Sequence, residues 1–120
     1  MNIGVIGKSG EDRVAAFLRK NEFSVIKRNY QCRFGEIDII AQNSEYIIFV
    51  EVKTRNKDFL VSPAEAVDSA KQKRIMLTAE DYISKTFCDL QPRFDVAEVI
   101  VSKGDDGRIS FNLNYIENAF

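Results

Sequence analysis

The sequence predicts an α/β domain, a mixed five-stranded sheet flanked by helices in the order α-β-β-β-α-β-β. Three observations carry this. Two runs rich in β-branched and aromatic residues, Ile37 to Ala41 and Tyr46 to Lys53, are separated by four polar residues, which is hairpin spacing. A helical segment then leads to another β-branched run, Arg93 to Val101, the pattern of a β-α-β crossover. The last run alternates Ile109, Phe111, Leu113 and Tyr115, as an edge strand with one wet face does. A chain of 120 residues is one domain with room for a real core.

Taken in order, Ser9 reads as the cap of a first helix, with Asp12 three residues on as a capping-box variant. Val14, Phe17 and Leu18 form its apolar stripe. Glu11, Ala15 and Leu18 share i, i+4, i+7 spacing, so Glu11 points along the buried stripe. The competing reading is a favourable charge in a helical first turn, a role that Asp12 also fills. Phe23-Ser24-Val25-Ile26 begins the first strand, running towards Tyr30. Gln42-Asn43-Ser44-Glu45 is the hairpin connection. With Ser44-Glu45 as the turn centre, Asp38 falls opposite Glu51, their Cβ atoms roughly 5 Å apart. A slip of one residue would separate them. Ser62-Pro63-Ala64-Glu65 supplies cap, helix-opening Pro and acid for a second helix to about Lys85. Lys71, Ile75, Ala79 and Tyr82 share one face of it. Arg93-Phe94-Asp95 reads as an ion pair at a strand entrance, and Asp105-Asp106-Gly107 as a turn.

Composition narrows the chemistry. No run is long enough to span a membrane, and Lys8 and Glu11 precede any long apolar stretch, so neither a membrane segment nor a signal peptide is expected. Cys32 and Cys88 lack C-x-x-C spacing and read as reduced thiols of a cytoplasmic protein. The chain has no His, which removes His-based catalysis and argues against zinc or copper. A catalytic metal would be oxygen-ligated, hence Mg²⁺ or Mn²⁺.

The net charge of −1 argues against a nucleic-acid coat over the whole surface. Residues 1–57 nevertheless hold ten Lys/Arg against seven Asp/Glu, while residues 58–120 hold seven against eleven. The basic excess thus lies in the segment that holds Asp38, Glu51 and Lys53, as a local phosphate-binding face requires. Chance scatter of surface charge is the competing account. The near-neutral total points to a homodimer or another partner for tight binding.

Gly35-Glu36-Ile37-Asp38 and Phe49-Val50-Glu51-Val52-Lys53 place charges at the ends of apolar runs, where charges are normally excluded. Glu51 and Lys53, two apart, share a strand face. Two carboxylates and an ammonium are the minimal kit for metal-assisted phosphodiester cleavage. An exposed Glu-x-Lys ion pair on an edge strand is the alternative. It fits poorly, because Ile48, Val50 and Val52 mark a central strand.

These residues resemble the signature of the restriction-endonuclease-like superfamily, PD-(D/E)-x-K, with Asp38, Glu51 and Lys53 in the three charged positions and Ile37 where the Pro would stand. Glu11 is similar to the first-helix Glu of branches such as the archaeal Holliday-junction resolvases. More closely, the chain resembles the uncharacterised bacterial YraN-type family. That likeness rests on Gly7-x-x-Gly10-Glu11, Lys27-Arg28-Asn29-Tyr30, Gly35-Glu36-Ile37-Asp38, Phe49-Val50-Glu51-Val52-Lys53-x-Arg55, Lys71 and Arg93-Phe94-Asp95. The resemblance implies a nuclease-like fold in which Asp38, Glu51 and the Val52 carbonyl bind Mg²⁺ or Mn²⁺ and Glu11 is an outer or second-metal ligand. It implies that Lys53 orients the attacking water or neutralises charge on the phosphoryl oxygens. Arg33, Arg55, Lys71 and Arg74 would hold flanking phosphates of nucleic acid.

The expected function is a divalent-metal-dependent nuclease acting on DNA, branched or damaged DNA included. The alternatives are a nucleic-acid-binding module that keeps the scaffold with weak or no catalysis, and an assembly subunit that uses its sheet edge.

Overall fold

Ile47, Ile48, Phe49 and Val50 are apolar at four successive positions, so the strand they form must be covered on both faces. The computed structural model, which describes residues 3–57 and 67–120 and gives only the backbone for 3–7, has that arrangement. In chain order the elements are α1 (Ile3–Lys20), β1 (Ser24–Cys32), β2 (Gly35–Gln42), β3 (Tyr46–Asn56), α2 (Ser69–Thr86), β4 (Gln91–Lys103) and β5 (Ile109–Ile116). The five strands form one sheet in sequence order. β3 and β4 are parallel and the other three pairs antiparallel, so β3 is central and α2 is the crossover. Among the described residues no helix is long and apolar enough to cross a membrane.

Each face of the sheet has its own core. Val14, Ala15 and Leu18 of α1 bury against Ile39, Ala41, Ile48, Val50, Ala97 and Val99. Ile75 and Ala79 of α2 bury against Ile37, Ile40, Ile47, Phe49 and Val96. Fully burying one such aliphatic side chain contributes roughly 1.5–3 kcal/mol, so these two clusters hold the layers together. α1 also comes unusually close to the sheet. A Cβ on Gly10 would lie 2.6 Å from Thr54 Oγ1, so only Gly allows this approach.

The predicted hairpin has the predicted register. Ile39 pairs with Val50 and Gln42 with Ile47, which centres the turn on Ser44-Glu45. Asn43 closes it: its Oδ1 accepts from the amides of Glu45 at 2.9 Å and Tyr46 at 2.7 Å, an Asx turn.

Two helix starts differ from the sequence expectation. Ser9 is not a cap, because α1 begins by Ile3 and runs through it. Gly4 and Gly7 weaken a helix without ending it, and a Ser tolerated inside one ends nothing by itself. Glu11 and Asp12 therefore lie mid-helix, and no acid occupies the first turn. The second helix is not continuous from Ser62. Asp68, at φ −71° and ψ 173°, is extended, and its carboxylate caps α2 by accepting from Lys71 N at 2.8 Å. The expected opening at Ser62-Pro63-Ala64-Glu65 lies outside the described residues.

Candidate active site

The chain brings Asp38, Glu51, Lys53 and Lys71 together where the two-sided core ends. β3 is buried from Ile47 to Glu51 and then opens towards Asn56. On β2, Ile37 and Ile39 are two apart yet belong to opposite cores, so the strand changes face at Asp38. The β2–β3 ladder stops at Ile39 and Val50. One step beyond, Asp38 Oδ2 accepts from the Val52 amide at 2.7 Å, where a backbone bond would otherwise stand. An extended residue presents its N–H and C=O to the same side, so the Val52 carbonyl also faces the Asp38 edge.

Glu51 is buried, 8 % exposed, and its Oε1 takes both lysines: Lys71 Nζ at 2.8 Å and Lys53 Nζ at 3.3 Å. Among the described residues nothing donates to Asp38 Oδ1 or Glu51 Oε2. A cleft of about 200 Å³ opens here, lined by Gly35, Glu36, Asp38, Glu51, Lys71, Arg74 and Ile75. Gly35 forms its rim at φ +151°, and a Cβ there would crowd Thr78 Oγ1 at 3.3 Å.

The electrostatics follow from burial. Asp38 is pushed up to about 7, first by desolvation and then by the Glu51 charge, with Glu11 and Glu36 adding to the push and the Val52 amide opposing it. Burial and the neighbouring Lys71 ammonium hold Lys53 below its ordinary value, against the pull of Glu51. Burial would also lower Lys71, but its contact with Glu51 prevails and the net shift is upward.

The remaining predicted site residues lie further out. Glu11 does not line the cleft. Its Oε1 accepts from Arg28 Nε at 2.9 Å and Asn29 Nδ2 at 3.2 Å, although its charge still reaches Asp38. Arg74 stands exposed on the cleft wall. Arg33 is exposed in the β1–β2 turn with its guanidinium over the Phe34 ring. Arg55 turns towards Glu98, 3.7 Å away, and its buried Nε has no hydrogen-bond partner among the described residues. Neither Arg33 nor Arg55 reaches the cleft.

Sequence reasoning missed the support of Glu11. Asn29 adopts φ +53°, a left-handed residue within β1. It lets Arg28 face α1 while Tyr30, two residues on, packs on the α2 side and donates to Asp81 Oδ2 at 2.5 Å. The available signal was the Lys27-Arg28-Asn29-Tyr30 run, which places an Asn where an apolar strand residue is expected. Arg93-Phe94-Asp95 is the structural ion pair expected of it, as part of a buried network joining β4 to β5 and the turn after it.

Residues 10–99 match the family described as Uncharacterised protein family UPF0102. The chain belongs to the UPF0102 family. A UPF0102 protein of Dictyoglomus thermophilum is 48% identical over 122 residues, covering 100% of both chains. One from Clostridium acetobutylicum is 44% identical over 115 residues, 95% of this chain and 92% of its own. One from Symbiobacterium thermophilum is 43% identical over 116 residues, 96% and 95% respectively. The UPF0102 match covers Glu11, Asp38, Glu51, Lys53 and Lys71 together.

Whether the site suits a metal ion depends on its donors. Among the described residues no group of three or more His, Cys, Asp or Glu could hold one. The cleft offers two carboxylates, each with one oxygen uncommitted among the described residues, and a backbone carbonyl on the same edge. Mg²⁺ ordinarily takes one or two carboxylates and keeps several waters, so this donor set fits Mg²⁺ or Mn²⁺ and no softer metal.

Proposed function

We propose that this UPF0102 protein is a divalent-metal-dependent nuclease that hydrolyses phosphodiester bonds in DNA, branched or damaged DNA included, with a site of the restriction-endonuclease-like, PD-(D/E)xK kind. The observation that carries the reading is that Asp38 and Glu51 line one open cleft, with the Lys53 ammonium held behind it on Glu51 Oε1. Asp38, Glu51 and the Val52 carbonyl would hold Mg²⁺ or Mn²⁺, which supplies Lewis acidity and a more acidic bound water. Glu51 fixes the Lys53 ammonium through its Oε1. Lys53 in turn orients the attacking water or offsets charge on the phosphoryl oxygens. Lys71 and Arg74, on the α2 wall, offer donors to phosphate oxygens. Glu11, tied to Arg28 and Asn29, acts on Asp38 through its field. The likeness of Glu11 to the first-helix Glu of archaeal Holliday-junction resolvases makes a branched duplex the first substrate to try.

Incubation with flap, junction, nicked and linear DNA in Mn²⁺ tests this. Cleavage that disappears in Asp38→Asn and Glu51→Gln proteins of unchanged fold is the expected result. Undiminished cleavage by Asp38→Asn protein free of contaminating nuclease overturns the site. A second reading, binding without turnover, is favoured by one observation: two ammonium groups already neutralise Glu51. Metal-independent, salt-sensitive DNA binding with no cleavage of any substrate would select it.

A further inference from the structure

Two lysines share one carboxylate oxygen, and only one is needed to neutralise it. Lys53 and Lys71 both approach Glu51 Oε1, so two like charges face each other across it. Lys71 is also poorly placed for its own helix. It lies in the first turn of α2, right after the Asp68 cap, where the helix dipole disfavours a cation. Its backbone amide is held by Asp68, but its side chain is a flexible stem, 29 % exposed, on the wall of the cleft one turn from Arg74. Lys53 has no such freedom of position, because it extends from the same strand as Glu51. The ammonium that can leave is that of Lys71.

Resting on the metal-dependent reading above, we propose that Lys71 is an exchangeable counter-ion that couples metal binding to phosphate binding. Its ammonium occupies Glu51 Oε1. A divalent cation at Asp38 and Glu51 Oε2 draws on the charge of the same carboxylate and repels the ammonium held on Oε1. A phosphodiester entering the cleft offers Lys71 a new anionic partner. Each ligand therefore favours the conformer that the other requires, and the two bind cooperatively through one side chain. Lys71 is thus a positioning residue. Without nucleic acid it keeps the site a weak metal binder, which limits water activation to the moment when a phosphate is present.

The test measures coupling and needs no turnover. The affinity of a nuclease-resistant phosphorothioate DNA duplex is measured by fluorescence anisotropy with EDTA and with saturating Mn²⁺, and Mn²⁺ affinity by electron paramagnetic resonance without DNA. The proteins are wild type, Lys71→Met, Lys71→Gln and Asp38→Asn. Lys71→Gln retains a hydrogen-bond donor to Glu51, so one neutral variant survives even where Lys71→Met does not fold. Both neutral variants are expected to bind Mn²⁺ more tightly than wild type, while the tightening of DNA by Mn²⁺ shrinks by roughly fivefold or more. Removing a merely structural ion pair would change Mn²⁺ affinity but leave that tightening factor as in wild type. An equal factor in wild type and both variants, or Mn²⁺ affinity no higher in the variants, overturns the proposal. Asp38→Asn separates the two levels. If it loses Mn²⁺ while the Lys71 variants behave like wild type, the coupling role alone falls. If it binds Mn²⁺ as wild type does, the metal site falls and the coupling with it.

Discussion

Two clusters around buried carboxylates lie on neighbouring strands, and they differ in whether anything is left to bind. Asp95 on β4 is fully buried, and both of its oxygens are used. Arg93 donates Nε to Oδ1 at 3.0 Å and Nη2 to Oδ2 at 2.9 Å, Tyr115 donates its hydroxyl at 2.5 Å, and the Asn118 amide donates at 2.9 Å. The network is closed on every side by protein. Burial and the Asp95 carboxylate push the Tyr115 phenol well above its usual range, which keeps it a donor. On β3 and β2, Glu51 and Asp38 are less completely buried, each has an oxygen without a partner among the described residues, and they face a cleft. Burial of charge is common to both clusters. Spare donor capacity next to open space belongs to only one, and that difference separates a structural network from a candidate site.

The largest effect that would sharpen the contrast is loss of the closed network. Asp95→Ala leaves the Arg93 guanidinium, 13 % exposed, without its partner and is expected to cost about 3–5 kcal/mol in urea unfolding. A cost below about 1 kcal/mol would show that Asp95 is as dispensable as a surface pair.

The open cluster should behave in the opposite way. The Asp38 carboxyl is raised from 3.8 to about 7, so between these values the folded protein binds more protons than the unfolded one. Stability is therefore expected to fall as pH rises from about 4 to about 7 and to remain low above. Asp38→Asn should flatten this segment and stabilise the metal-free protein at pH 8 by on the order of 2 kcal/mol, allowing for partial solvent access. Urea melts of both proteins at pH 5 and pH 8 check it. A pH dependence identical in the two would remove Asp38 as its source.

How far the sequence could see follows the same division. The β2–β3 register, paired from Gln42–Ile47 to Ile39–Val50 and ending one step short of Asp38 and Glu51, was legible because it depends on local matters: a four-residue polar turn with an Asn to close it, and two β-rich runs. Three features were not local. α1 runs through Ser9 and seats Gly10 against Thr54, and a cap-competent Ser says nothing about that contact. The cap of α2 at Asp68 is set by where Lys71, Ile75 and Ala79 must meet the sheet, which a local cap signal does not reveal. The Arg28–Asn29 clasp on Glu11 needs a left-handed residue inside a strand, which β propensity does not foresee. The cleft-lining carboxylates were thus readable, and their supports were not.

A smaller effect concerns α1. Gly10→Ala places a Cβ within 2.6 Å of Thr54 Oγ1 and is expected to cost about 1–3 kcal/mol, with part of it recovered by Thr54→Ala in the same chain. Additive costs in the double mutant would contradict the contact. The smallest expected change is at Arg74. Arg74→Gln should alter stability by less than about 0.5 kcal/mol, because the side chain is exposed. It should nevertheless flatten the salt dependence of DNA binding by about one phosphate contact. An unchanged slope would place the phosphates away from the α2 wall.

The central claim is that the open pair binds a divalent cation and the closed network does not. Thermal melts in EDTA and in Mn²⁺ address it most directly. At a hundredfold excess over its dissociation constant Mn²⁺ should stabilise the wild-type protein by about 2.7 kcal/mol, a rise in Tm on the order of 10 °C. Asp38→Asn should show no such rise. An equal Mn²⁺ shift in both proteins, or none in the wild type, would contradict the account.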